Sequence, residues 1–305
     1  MQVFGSDEWR TQARVHAARV ATYVEPHLAR RTAGVKHPVY DFLFSYYTLS
    51  PAKLARWHPG YGVGLAEGGE YEGLRGYEVV GGTAWVARPY LNERVPLIEQ
   101  TLRLLAATAG RAGTYGCFGL HEWAMVYGTP GTRHAWPLRL GSRGTDEVVE
   151  GHRIACSHFD AYRFFTEPAR PLNTLRPSSS DRVEFEQPGC LHANMDLYKH
   201  AFRLLPLVPS HLVADCFELA WQIRTLDMQA SPYDLADLGL EPIRIETADG
   251  KQRYAARQRQ FSEAAAPLRQ RLIETCEGLL DTASKAEVEL REWGAVTDAP
   301  PRVAT

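Results

Sequence analysis

Apolar residues recur at helical spacing over most of this chain and alternate at strand spacing over only a short part of it. Between Asp7 and Arg31, Val15, Ala18, Val20 and Tyr23 are interleaved with arginines, which predicts one amphipathic helix. Pro38 suits the first turn of a second helix over 39–49. Its Phe42, Leu43, Phe44, Tyr46 and Tyr47 are apolar nearly all round, the pattern of a buried segment. Ser50-Pro51 reads as a cap and first-turn proline for a short helix that stops at Trp57-His58-Pro59-Gly60. Further helices are predicted over 91–108, 115–127, 160–165, 190–205 and 210–230, with a short one opening at Ser231-Pro232 and a long one running from Gln252 past Leu280. The stretch 61–90 differs: frequent glycine and the run Tyr77-Glu-Val-Val-Gly-Gly-Thr-Ala-Trp-Val86 predict one or two strands. Short strands are expected near Leu138, over 153–156 and over 243–246, and a Pro/Ser-rich connection over 167–189.

These elements predict a mainly α protein with a minor β-sheet, an α+β fold in which many helices share one core. They lack the βαβ alternation of a doubly wound sheet. One domain is expected over 1–296, with a disordered tail over 297–305. The 305 residues, 45% of them hydrophobic, suffice for such a core. No apolar run approaches the ~20 residues that span a bilayer, and no basic segment followed by an apolar one marks a signal peptide. Five well-separated cysteines without a CxxC pair suit reduced thiols, so a cytoplasmic protein with no membrane partner is expected. The net charge of −2 shows no overall basic surface for nucleic acid. There is no GxGxxG, Walker A, GxSxG or HExxH motif, which argues against dinucleotide enzymes, P-loop ATPases, α/β-hydrolases and zincins.

The chemistry lies in the histidines. Eight of eleven fall between His37 and His200, several beside carboxylates and aromatics. Imidazoles and carboxylates are the groups that most often move protons or hold metals. His121 and Glu122 sit inside an apolar segment; adjacent helical residues point about 100° apart, so the two face different neighbours. A buried Glu122–arginine pair is as good a reading of that glutamate as a catalytic carboxylate. His192 and Asp196 share one helix face, which suits a metal or a general-base dyad, and equally a surface pair. His158 and Asp160 follow an expected strand, although Asp160 also suits an N-cap. Asp215, Glu218 and Gln222 interrupt an apolar helix, either as a salt-bridge network with Arg203 or Arg224 or as part of a site. Two antiparallel helices bearing His192/Asp196 and Asp215/Glu218 would together suit a di-metal centre, although the Glu-x-x-His spacing of di-iron bundles is missing.

Several distinctive segments together resemble one family. They are His37-Pro-Val-Tyr-Asp41-Phe-Leu-Phe-Ser-Tyr-Tyr47, Arg56-Trp-His-Pro-Gly60, His121-Glu-Trp-Ala-Met-Val-Tyr127, Asn194-Met-Asp-Leu-Tyr-Lys199, Asp215-Cys-Phe-Glu-Leu-Ala220 and Leu226-Asp-Met-Gln-Ala-Ser-Pro-Tyr-Asp234. The chain is similar over nearly its whole length to a bacterial, largely actinobacterial, family commonly named 3-methyladenine DNA glycosylase. That resemblance implies a DNA-repair hydrolase that extrudes an alkylated purine, stacks it on aromatics and sets a carboxylate beside the glycosidic bond, with DNA as partner and no cofactor. Glu122 and Asp196 are then the catalytic carboxylates, and His121 and His192 orient them. Arg10, Arg14, Arg19, Arg30 and Arg31 are the candidates for a phosphate-binding face. The alternative is a metal-dependent oxidase or hydrolase acting on a small molecule, with iron or zinc held among His121, Glu122, His158, His192, Asp196 and Glu218.

Overall fold

A computed structural model describes residues 2–129, 131, 132 and 135–297, with side chains as far as residue 285. Among these residues the chain forms eleven α-helices, three short 3-10 turns and four short strands. The order is β1 (Gln2–Phe4), α1 (Ser6–Thr32), α2 (Phe42–Tyr46), α3 (Pro51–Ala55), β2 (Val63–Leu65), β3 (Tyr77–Val80), β4 (Thr83–Val86), α4 (Arg88–Ala109) and α5 (Leu120–Ala124). There follow α6 (Gly141–Glu150), α7 (Phe159–Tyr162), α8 (Arg182–Phe185), α9 (Leu191–Arg203), α10 (Ser210–Gln229) and α11 (Ala248–Thr297). The mainly α, minor β class expected from periodicity is the fold observed. Among the described residues no helix is long and apolar enough to cross a membrane. The tail expected over 297–305 lies outside the described residues, apart from Thr297, which ends α11.

The hairpin α9–α10 is the centre of the molecule. All but two residues of α9, Lys199 and Arg203, are buried, and α10 buries Leu212, Val213, Phe217, Ala220, Ile223 and Leu226. A helix covered on nearly every side must sit inside other layers, and here α11 lies across both helices, α4 packs on α11, and α1 and α2 close over α10. On α1 the buried residues Trp9, His16, Val20, Val24 and His27 follow one helical stripe. Burying an apolar side chain of such a stripe, as with Val20 and Val24, is worth about 1.5–3 kcal/mol each.

The strands form one sheet in the order β1-β2-β4-β3, with β1 parallel to β2 and the other pairs antiparallel. Gly81 and Gly82 form the two-residue turn between Val80 and Thr83, both at positive φ, which a tight hairpin requires and glycine supplies without strain. The sheet covers a satellite cluster of Trp9, Trp57, Leu65, Tyr71 and Ala84. The Trp9 indole N–H donates to the Ala66 carbonyl at 2.9 Å and ties α1 to it.

Several local expectations change. The helix expected over 39–49 is cut to Phe42–Tyr46, because Asp41 holds the preceding turn through the His37 N–H at 2.8 Å and Thr48 takes a positive φ of 52°. The helix expected over 115–127 survives only as α5, since Phe118 and Gly119 are left-handed, at φ 48° and 73°. A Cβ on Gly119 would also meet the Ala230 Cβ at 3.3 Å. Gly141 and Gly144 concealed α6, whose Thr145, Val148 and Val149 face inward. The expected strands at 138 and 153–156 are single bridges, Leu138 with Tyr233 and Ile154 with Asn173; the first takes the place of a helix at Ser231. No strand forms over 243–246, where Arg139 instead clamps Glu246 at 2.7 and 3.0 Å.

Burying histidines makes this fold acid-sensitive. His58 is covered by the sheet cluster, its Nδ1 3.0 Å from the Tyr77 hydroxyl, and burial depresses its pKa to about 3. In the unfolded chain the ring titrates near 6.5 and takes up a proton that the folded state refuses. Stability is therefore full above pH 6.5 and falls, by about 1.4 kcal/mol per pH unit for each such group, as pH drops towards 3. His200 behaves alike for the same reason, with its pKa also pushed down to about 3. Urea unfolding between pH 7 and 5 should show this slope, and His58→Gln should flatten it by about one proton; an unchanged slope would mean that the folded ring is charged.

Candidate functional site

Three separate segments meet beside the first turn of α9. The short helix α5 supplies His121 and Glu122. The last turns of α10 supply Arg224 and Asp227, and α9 supplies His192. His121 Nε2 lies 2.8 Å from Asp227 Oδ1. The His121 ring meets the His192 ring edge to face with centroids 4.5 Å apart. One donor atom from each of His121, His192 and Asp227 lies within 4.8 Å of the other two, and all three residues are buried. Glu122 turns the other way, yet it reaches the same helix one turn earlier: Arg224 Nη1 donates to Glu122 Oε1 at 2.7 Å and to Asp227 Oδ2 at 2.6 Å. The Arg224 guanidinium lies 3.8 Å from the centre of the Phe42 ring.

A second polar layer adjoins the first. His158 precedes α7 and lies 5.3 Å, ring to ring, from His192. Its Nε2 is 3.5 Å from both Glu186 Oε1 and Asp196 Oδ2, and neither ring nitrogen makes a closer hydrogen bond among the described residues. Asp196 accepts from the Tyr47 hydroxyl at 2.7 Å, from Arg182 at 2.9 Å and from Lys199 at 3.2 Å. Arg182 also pairs with Glu186, and Lys199 with Asp160 at 3.0 Å.

Burial and neighbouring charge set the protonation of these groups. Burial drives the His192 pKa well below its usual value, and the adjacent His121 adds to this, so His192 keeps a free lone pair. Burial alone would lower His121 as well, but Asp227 outweighs it and holds that ring well above the ordinary histidine value. Burial opposes ionisation of Asp227 and Asp196. His121 and Arg224 nevertheless keep the first ionised, and His158 and Lys199 the second.

Access is narrow. A cavity of about 60 Å³ between Phe42, Tyr46, Phe164 and Asp160 reaches His192, Glu122 and Arg224. On the other side of His192 a void of about 10 Å³ is lined by Cys117, Cys156, Cys190, His121 and Tyr254, the space of one water or ion. The Cys117 sulfur lies 3.8 Å from His121 Nδ1.

Of the residues expected at a site, His121, Glu122, His158, His192 and Asp196 come together. Glu218 does not, which corrects its place among the metal ligands and removes the di-metal arrangement built on it. With Asp215 it lies on the outward side of α10, gripped by Arg19 at 2.8 and 2.7 Å, while Arg271 holds Asp215 at 2.8 Å. Arg224, expected to pair within that network, faces the core instead. Asp227 was not singled out, although an acid one turn beyond an arginine in the apolar run Ile223–Met228 was its visible sign. Three of the five arginines proposed as a phosphate-binding face are also taken, Arg10 by Glu70, Arg19 as above, and Arg30 by Asp41.

Comparison of the chain with protein-family models, with curated proteins and with solved structures gave no match.

The two acidic sites should differ sharply in stability. Arg224→Met strands Glu122 and Asp227 without their shared cation inside the core and should cost about 3–5 kcal/mol. Glu218→Gln, in a solvent-screened pair, should cost less than about 1 kcal/mol. Urea denaturation measures both, and equal costs would contradict the burial described here.

Proposed function

We propose that this protein is a metal-dependent enzyme acting on a small molecule, with one divalent ion held by His121, His192 and Asp227. The convergence of two imidazoles and one carboxylate, drawn from three segments and buried together, carries this reading. Such a donor set suits iron(II) or zinc, and three protein ligands leave coordination positions open. Donors about 2.0–2.2 Å from a common ion lie no more than about 4.4 Å apart, so the three atoms, now within 4.8 Å of one another, must draw closer to hold it. Asp227 Oδ1 is the ligand atom, because Oδ2 belongs to Arg224, which fixes the carboxylate's orientation as an outer partner does in metalloproteins. The ion must displace the proton that His121 shares with Asp227. When bound, it supplies Lewis acidity beside His192.

The chain's own groups have separable roles. Phe42, Tyr46 and Phe164 form the approach, and Asp160 and Arg224 mark its polar end. His158, its Nε2 3.5 Å from the Glu186 and Asp196 carboxylates and its ring against His192, is the residue best placed to hold or pass a proton. Asp196 is committed to Tyr47, Arg182 and Lys199, and positions His158. One observation favours the N-glycosylase reading instead: the same approach sets stacked aromatics, Phe42 and Tyr46 with centroids 4.8 Å apart, beside Glu122. A planar alkylated base would suit that wall. Against it, Glu122 is already bound by Arg224.

Elemental analysis of the purified chain separates the two readings. About one equivalent of iron or zinc is expected, lost in His192→Ala and Asp227→Asn and retained in Glu218→Gln. Metal-free protein that releases 3-methyladenine from alkylated DNA, and stops doing so in a folded Glu122→Gln variant, would replace the metal reading with the glycosylase one.

A further inference from the structure

Apart from the cavities beside His192, α3, the segment before β3, α4 and the last turn of α9 line a larger cavity of about 440 Å³. That volume falls among those of small-ligand sites, roughly 300–1,000 Å³. One part of its wall is apolar: Leu49, Leu74, Tyr90, Phe202 and Pro206. The other part is cationic: Lys53, Arg56, Arg75, Arg94 and Arg203, and no aspartate or glutamate lines it among the described residues.

The charges there are not neutralised from within. Arg75 has a carboxylate partner, Glu93 at 2.8 Å. Lys53, Arg56, Arg94 and Arg203 have none within 4.0 Å among the described residues. Other arginines are paired closely with acids, as at Arg19, Arg139, Arg182 and Arg224. Arg94 is half-buried, and its Nε is hidden from solvent without a hydrogen-bond partner. Its guanidinium lies 4.9 Å from the Tyr90 ring centre, with that of Arg75 at 5.9 Å from the same ring. Like charges gathered round one hollow, with a buried donor unused, are arranged for an anion that is not part of the chain.

We propose that this cavity binds a phosphate-bearing small molecule with an apolar or aromatic body. A single carboxylate would leave most of the positive charge unbalanced, whereas a phosphate brings −1.5 to −2 and several acceptor oxygens. Guanidinium forks match those oxygens two at a time. The apolar wall then receives the rest of the ligand, and the volume of about 440 Å³ is that of a compact molecule.

Calorimetric titration of the full chain with adenosine 5′-monophosphate, inorganic pyrophosphate and adenosine tests this. The monophosphate should bind at least tenfold tighter than adenosine. Arg94→Gln with Arg203→Gln should weaken it at least tenfold, and so should Lys53→Gln with Arg56→Gln, both exposed; circular dichroism checks that both variants fold. No binding of either phosphate compound at millimolar concentration, or binding unchanged in both variants, would overturn the proposal. Pyrophosphate binding not shared by the monophosphate would overturn the amphipathic ligand. A short single-stranded oligonucleotide that binds tighter than the monophosphate through the same arginines would make this face a nucleic-acid surface instead.

Discussion

One guanidinium holds the interior together. Arg224 is 1% exposed and joins Glu122 on α5 to Asp227 on α10. A buried charge is tolerable only with partners in good geometry, and each of these three groups depends on the other two. Without the arginine, two carboxylates would face each other in the core and would have to take up protons. With it, Asp227 stays ionised and presents its second oxygen to His121. The orientation of His121, the position of α5, and the closeness of His121 to His192 all follow from that pairing. Phe42 lies against the guanidinium, so the aromatic approach is tied to the same residue.

The rest of the core repeats this solution. Helix α9 is buried almost all round and yet carries His192, Asn194, Asp196 and His200. An all-apolar helix would pack there without difficulty; polar groups must each find a neighbour. Asn194 accepts from Arg269 on α11 and donates to the Pro188 carbonyl. Asp196 collects Tyr47, Arg182 and Lys199. His158 has two carboxylates, Glu186 and Asp196, 3.5 Å from its Nε2 but no close hydrogen bond among the described residues, and a buried polar group left so costs free energy.

The long helices were legible because a stripe of apolar residues repeated over several turns has few alternatives, as in α1, α4, α9 and α10. Short elements were not, because their limits are decided by single backbone conformations: Phe118 and Gly119 stop a helix that hydrophobicity alone would have continued. The site was legible as a density of histidines, since His121, His158 and His192 lie in apolar surroundings where polar side chains are costly. Its third donor was not. Glu218 and Asp227 share α10 but are nine residues apart, about 180° round the helix. A list of acids along the helix does not say which side is covered. That is set by α5 and α9, segments distant in sequence that contribute to the inner side and not to the outer.

The same limit applies to charge. With 34 basic and 36 acidic side chains the chain looks neutral and uninformative. In the fold some acids are drawn inward to arginines, Glu122 and Asp227 to Arg224, Asp196 to Arg182 and Glu246 to Arg139. Since basic and acidic groups are nearly equal in number, each anion buried against a cation removes one of each from the surface balance and leaves its sum unchanged. The sum therefore hides where the unpaired charges gather. Four of them, on α9, on α4, in α3 and just beyond it, gather round one hollow because the ends of those elements meet there. A near-zero net charge thus excludes a uniformly basic surface but places no limit on a local one, and for a ligand of molecular size only the local field acts.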